Sequence, residues 1–122
     1  MIPIQRTNTI LYCDQWAATV AFYRDRLQLS VTYANDWFVE FQLGTTSYLS
    51  IADHRRATIR SANGDGVTLS WQVADLPAAA QQLQDVAIDC SAIAKRWGAD
   101  VLYFHDPEGN RIELWSPPSS AS

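Results

Sequence analysis

Two stretches of this chain repeat one another, and that repetition limits its fold more than any other feature. Thr9-Ile-Leu-Tyr-Cys-Asp-Gln-Trp-Ala-Ala-Thr-Val-Ala-Phe-Tyr reads as a strand, an acidic residue and an amphipathic helix. Thr68-Leu-Ser-Trp-Gln-Val-Ala-Asp-Leu-Pro-Ala-Ala-Ala-Gln-Gln-Leu has the same layout. In the first copy Trp16, Val20, Tyr23 and Leu27 fall at i, i+4, i+7 and i+11, one face of a 3.6-residue period. Sixty positions on, Leu76, Ala80, Leu83 and Ala87 repeat the stripe with smaller side chains. Asp14 is placed to cap the first helix and Asp75 the second, where Pro77 is tolerated in the first turn.

After each helix the apolar period changes to two. Trp37 to Leu43, the turn Gly44-Thr-Thr and Ser47 to Ile51 read as one hairpin. Ala99 to His105, the turn Asp106-Pro-Glu-Gly-Asn and Arg111 to Trp115 read as another. There Pro107 presets φ and Gly109 supplies the positive φ that closes the turn. A further strand is expected near Leu29 to Tyr33 and near Ala87 to Ile93. The pattern predicts an α+β domain over residues 1–122, built of two βαβββ modules. Module one covers about 7–52, a turn-rich linker 53–66, module two about 67–115, and the tail 116–122 is expected to fray.

Composition narrows the function classes. No apolar run approaches the ~18 to 20 residues that span a bilayer, so no membrane partner is expected. A formal charge of −4 gives no basic field for phosphate backbones, which argues against nucleic acid. Cys13 and Cys90 make no disulfide framework, and the start lacks a basic-then-apolar signal pattern, so the expectation is cytoplasmic. Five Trp, five Tyr and four Phe exceed what one small core takes up, so some should line a pocket or an interface.

Ile10-Leu-Tyr-Cys-Asp with Phe22-Tyr-Arg-Asp-Arg-Leu-Gln-Leu, and Phe104-His-Asp-Pro-Glu-Gly-Asn-Arg-Ile-Glu-Leu-Trp, resemble the two signature segments of the vicinal oxygen chelate superfamily. That superfamily includes glyoxalase I, bleomycin resistance proteins, extradiol dioxygenases and fosfomycin resistance enzymes. The resemblance covers residues 7 to 115 and implies curved mixed sheets forming a cleft, often shared between the chains of a homodimer. It also implies four metal-ligand positions, which here carry Asn8, Ser50, Thr68 and Glu113. Only Glu113 is a standard ligand; neutral amide and hydroxyl oxygens compete badly with water for a divalent transition metal. The expectation is therefore no metal cofactor, with a divalent ion disfavoured.

Strand alternation supplies the facing. If Glu113 points into the cleft, so do Arg111 and Trp115, with Tyr103 and His105 beside them and Tyr48, Ser50, Glu40, Asn8 and Tyr12 in the first module. Glu113 and Glu40 are the candidate catalytic carboxylates. Tyr12, Tyr48, Tyr103, Arg111, Trp115 and Asn8 are the candidate ligand contacts, the aromatic wall with a few convergent polar groups typical of a small-molecule site. Bland readings stand beside these. Glu40 could be a solvated edge residue, His54-Arg55-Arg56 a solvated loop, and the aromatics homodimer packing. Three functions remain open: metal-free binding of a small, partly aromatic molecule; a metal-dependent lyase or dioxygenase using Glu113, Glu40 and His105; and metal-free acid–base catalysis. The first is favoured by the depleted ligand set.

Overall fold

The structure, a computed structural model, describes residues 1–118; the portion of the expected fraying tail at 119–122 lies outside the described residues. The chain divides into two compact units, Met1–Asp65 and Gly66 onward.

In the first unit β1 (Thr7–Cys13) leads to helix α1 (Trp16–Ala21), a π-turn (Phe22–Arg26), then β2 (Ser30–Ala34), β3 (Phe38–Gln42) and β4 (Ser47–Asp53). The sheet order is β1-β4-β3-β2, with β1 parallel to β4 and the remaining pairs antiparallel. Leu11, Cys13, Val39, Phe41, Leu49 and Ile51 are buried, as are Val20, Phe22 and Tyr23 of the helical segment. The Tyr23 and Phe41 ring centroids lie 6.1 Å apart, so the predicted stripe covers this apolar side of the sheet.

The second unit repeats the plan: β5 (Thr68–Gln72), α2 (Leu76–Asp85), β6 (Ala94–Arg96), β7 (Ala99–His105) and β8 (Arg111–Ser116), in the order β5-β8-β7-β6. Leu76, Leu83, Leu102, Phe104, Ile112 and Leu114 form its core. Two four-stranded mixed sheets, each with a helix, make the α+β architecture of tandem βαβββ modules.

Several local expectations need correction. Asp75 does cap α2, accepting the Ala78 N–H at 3.0 Å. Asp14 does not cap α1: the cap position is Gln15, whose side chain makes no capping bond, and the Asp14 carboxylate turns to His54 and Arg55. The first helix is also not α-helical throughout. Its last turn widens, with the Leu27 N–H bonding the Phe22 carbonyl at 3.0 Å and the Leu29 N–H the Tyr23 carbonyl at 3.0 Å. Ala87 falls outside the second helical stripe; it is exposed and left-handed, φ 57°, just past the helix end. That reversal delays the expected 87–93 strand. Ser91 bonds β7, through the Tyr103 N–H and carbonyl, before the β6 ladder forms at Ala94.

The 53–66 segment is more than a linker. β4 runs through Asp53, a 3₁₀ turn follows at His54–Arg56, and the His54 ring is engaged at both nitrogens. Nδ1 accepts the Ser61 N–H at 2.9 Å, which leaves the proton on Nε2, 3.2 Å from Asp14 Oδ1. The connecting chain thus begins folded against its own unit at His54, while Arg55 and Arg56 stay exposed, as a solvated loop would have them.

Candidate functional site

Alternation leaves one face of each sheet without a helix. In the first unit that face carries Asn8, Ile10 and Tyr12 of β1, Tyr48 and Ser50 of β4, and Phe38, Glu40 and Gln42 of β3; Glu40 and Ser50 are direct register partners. Glu40 is the hub. Its Oε2 lies 2.7 Å from an Arg6 nitrogen and 3.5 Å from the Asn8 amide, and its Oε1 accepts the Thr32 hydroxyl at 2.8 Å. Asn8 in turn accepts the fully buried Ser50 hydroxyl at 2.8 Å. Arg6 stacks on Tyr48, its guanidinium carbon 3.6 Å from the ring centroid.

This arrangement fixes the charge state. The Arg6 bond, then the Thr32 hydroxyl, hold the Glu40 carboxyl below its usual range, and Glu40 raises Arg6 in return. Glu40 is therefore not a solvated edge group: its side chain is 14% exposed on an inner strand and fully engaged as an ion.

Sequence reasoning missed two members of this cluster. Arg6 continues the alternation Asn8, Ile10, Tyr12 one step upstream, so the signal was present just before the strand. Thr32 was hidden by a bulge: β2 pairs Val31 with Phe41 and Tyr33 with Glu40, leaving Thr32 as the extra residue aimed at Glu40. No periodicity announces such a residue.

In the second unit the face away from the helix carries Thr68, Ser70 and Gln72 of β5, Arg111, Glu113 and Trp115 of β8, and Tyr103 of β7. Ile112 and Leu114 are buried while Glu113 and Trp115 are half-exposed, so β8 faces as the alternation predicts. The Glu113 Oε1 accepts the Ser70 hydroxyl at 2.6 Å, and the Arg111 Nε donates to the Thr68 hydroxyl at 3.0 Å. The Arg111 guanidinium carbon lies 4.6 Å from the Tyr103 ring centroid. Exposed His105 ends β7.

The Asp106-Pro-Glu-Gly-Asn segment, the most distinctive stretch of the sequence, builds the turn beneath this face. Asp106 is 5% exposed. Its Oδ1 accepts the Glu108 and Asn110 N–H groups and its Oδ2 the Asn110 amide, each at 2.9 Å. Gly109 takes φ 95°, which an L side chain rarely adopts. The motif fixes where β8 begins, and so the register of Arg111, Glu113 and Trp115.

Among the described residues no three His, Cys, Asp or Glu side chains gather as a metal-holding group. No helix of the described residues is long and apolar enough to cross a membrane.

Solved structures share this fold at low identity. A lactoylglutathione lyase from Agrobacterium tumefaciens matches at 22% identity and TM-score 0.76, covering 95% of this chain and 96% of that one. A glyoxalase/bleomycin resistance protein/dioxygenase from Nocardioides matches at 19% and 0.78, covering 100% and 91%. TnmS3, an antibiotic binding protein from Streptomyces sp. CB03234, matches at 17% and 0.78, covering 96% and 98%. No curated protein matches the sequence. The model of the glyoxalase-like domain matches residues 7–118. With the tandem modules and the two signature segments already in place, the chain belongs to the glyoxalase-like domain family of the vicinal oxygen chelate superfamily.

Proposed function

We propose that this protein binds a small, partly aromatic molecule on the helix-free faces of its sheets, without the metal used by enzymes of its superfamily. The observation that carries this reading is the bond between two of the four ligand positions. The Ser50 hydroxyl donates to Asn8 Oδ1, while the Asn8 amide turns to Glu40. Thr68 is likewise engaged, as the acceptor for Arg111. One carboxylate, one amide and two hydroxyls, three of them already satisfied internally, do not fit a divalent transition metal.

Half-buried Tyr12, Tyr48, Tyr103 and Trp115 supply flat apolar surface, and Asn8 and Arg111 supply directional contacts. Of the two carboxylates, Glu113 is the one open to acid–base work. Glu40 serves as the fixed counter-ion of Arg6. The antibiotic-binding activity of TnmS3 is that protein's own; it supports a binding role here only through the shared fold.

We read the protein as a cytoplasmic homodimer. Support comes from the edge strand β2, exposed along its whole length with Val31 and Tyr33 uncovered, and from exposed Ile2 and Ile4. The test is elemental analysis of protein purified without chelator, alongside calorimetric screening of aromatic ligands. The expected result is no stoichiometric metal and micromolar binding of at least one aromatic ligand, weakened by Tyr103→Ala and Trp115→Ala. Stoichiometric metal that disappears in Glu113→Ala would overturn it. Sedimentation showing only monomer at micromolar concentration would overturn the dimer.

A further inference from the structure

Both units stack an arginine on a tyrosine beside a glutamate, yet they treat the charges differently. In the first unit Arg6 and Glu40 meet at 2.7 Å and cancel. In the second, Arg111 and Glu113 project from the same face of β8, two residues apart, and no ion pair forms between them. The neighbouring strand holds them apart. Thr68 is the register partner of Arg111 and Ser70 that of Glu113, and each hydroxyl draws its own partner sideways onto β5. Among the described residues no carboxylate lies within ion-pair distance of Arg111, and Glu113 has Ser70 as its one partner. Residues two apart on a strand are separated by about 6.5 to 7 Å.

We propose that Arg111 and Glu113 form a two-point receptor for an aromatic acid that carries a hydrogen-bond donor across the ring. The ligand carboxylate binds the Arg111 guanidinium, whose Nε is tied to Thr68 and whose central carbon lies over the Tyr103 ring, so little side-chain freedom is lost on binding. Its distal hydroxyl donates to the Glu113 oxygen that Ser70 leaves open. The span of one para-substituted ring, about 6 to 7 Å between its end groups, is comparable to the strand spacing of residues two apart. Trp115, the next residue on the same face of β8, is half-exposed. The Arg6 site lacks this capacity, because Glu40 already occupies its cation.

This inference rests on the proposed binding role of the second unit's face, and the experiment separates the two. Calorimetry with 4-hydroxybenzoate, benzoate and 4-hydroxybenzyl alcohol is run on wild type, Arg111→Gln, Arg111→Lys, Glu113→Gln and, as a control outside both helix-free faces, Arg24→Gln, whose arginine is exposed and pairs with Asp25. The expected result is a preference for 4-hydroxybenzoate over each of the other probes of about tenfold or more, as for a hydrogen bond to a charged group. Arg111→Gln should remove the preference over the alcohol, with Arg111→Lys keeping part of it. Glu113→Gln should reduce the preference over benzoate, and Arg24→Gln should change neither. Unchanged thermal melting of the variants checks the fold. The receptor is refuted if the alcohol binds wild type as tightly as the acid, or if Arg111→Gln keeps the preference. Absence of binding by all three probes, with Tyr103→Ala and Trp115→Ala neutral for every aromatic ligand screened, refutes the binding role and the receptor with it.

Discussion

Asp106 offers the sharpest test of how the signature segment works, because three of its side-chain bonds can be weakened and one of them rebuilt by exchange. The carboxylate is buried and accepts two backbone N–H groups at one oxygen and the Asn110 amide at the other. Asp106→Asn preserves an acceptor for the backbone pair but points a new amide at the Asn110 amide. One bond is lost, a buried donor is left unsatisfied, and the remaining bonds lose their charge assistance. The cost should be about 2 to 3 kcal/mol, and Asp106→Ala, which abandons all three donors, should cost about 3 to 5 kcal/mol. The exchanged pair Asp106→Asn with Asn110→Asp rebuilds the lost bond with donor and acceptor reversed. It should recover about 1 to 2 kcal/mol of the Asn penalty. Urea unfolding followed by tryptophan fluorescence and far-UV circular dichroism measures all three, provided the slopes stay equal. A single Asn variant within ~0.5 kcal/mol of wild type would refute the reasoning. So would an exchanged pair no more stable than the single variant.

Further outcomes follow from other features. Ala87 and Gln28 sit at φ 57° and 58° after the two helices, so Ala87→Gly and Gln28→Gly should each stabilise by about 0.5 to 1 kcal/mol in thermal melting. Because Arg6 and Thr32 lower the Glu40 carboxyl, its stabilising contribution is complete above its ordinary value of 4.5 and is lost as pH falls through the lower folded value. Wild type should therefore lose its stability advantage over Glu40→Gln as pH drops from about 5 towards 3, and urea midpoints across that range should converge. Arg6→Met should move the Glu40 titration upward, read by carboxyl carbon chemical shifts; an unmoved curve would show that Arg6 is not the cause.

Most of the faces were legible because strand alternation is a local rule. Leu114 inward and Glu113 outward follows from sequence order once β8 is placed. The repeat itself was legible for the same reason, since each module must bury a helical stripe on its own sheet. What escaped were choices between competing partners. Asp14 had the right residue type and position for a cap, yet His54, forty residues later, claims its carboxylate. Glu113 had Arg111 two residues away and bonded Ser70 across the strand pair. Such outcomes depend on distances between chain-remote groups, which spacing along the sequence does not encode. The β2 bulge that delivers Thr32 to Glu40 belongs to the same class.

The π-turn closing the first helix records how the two copies came to differ. Tyr23 corresponds to Leu83, sixty positions on, but the left-handed residues after the helices, Gln28 and Ala87, are fifty-nine apart. The first copy therefore holds one more residue between these points. The wide turn takes up that residue: Tyr23 reaches forward six positions to the Leu29 N–H, where Leu83 reaches five to Ile88. The one-residue length difference between the copies is thus taken up inside a helix, ahead of the ladders that set the facing of the inner strands. Duplicated modules of this kind can gain or lose single codons in their helices while the side chains of their sheets go on evolving one substitution at a time.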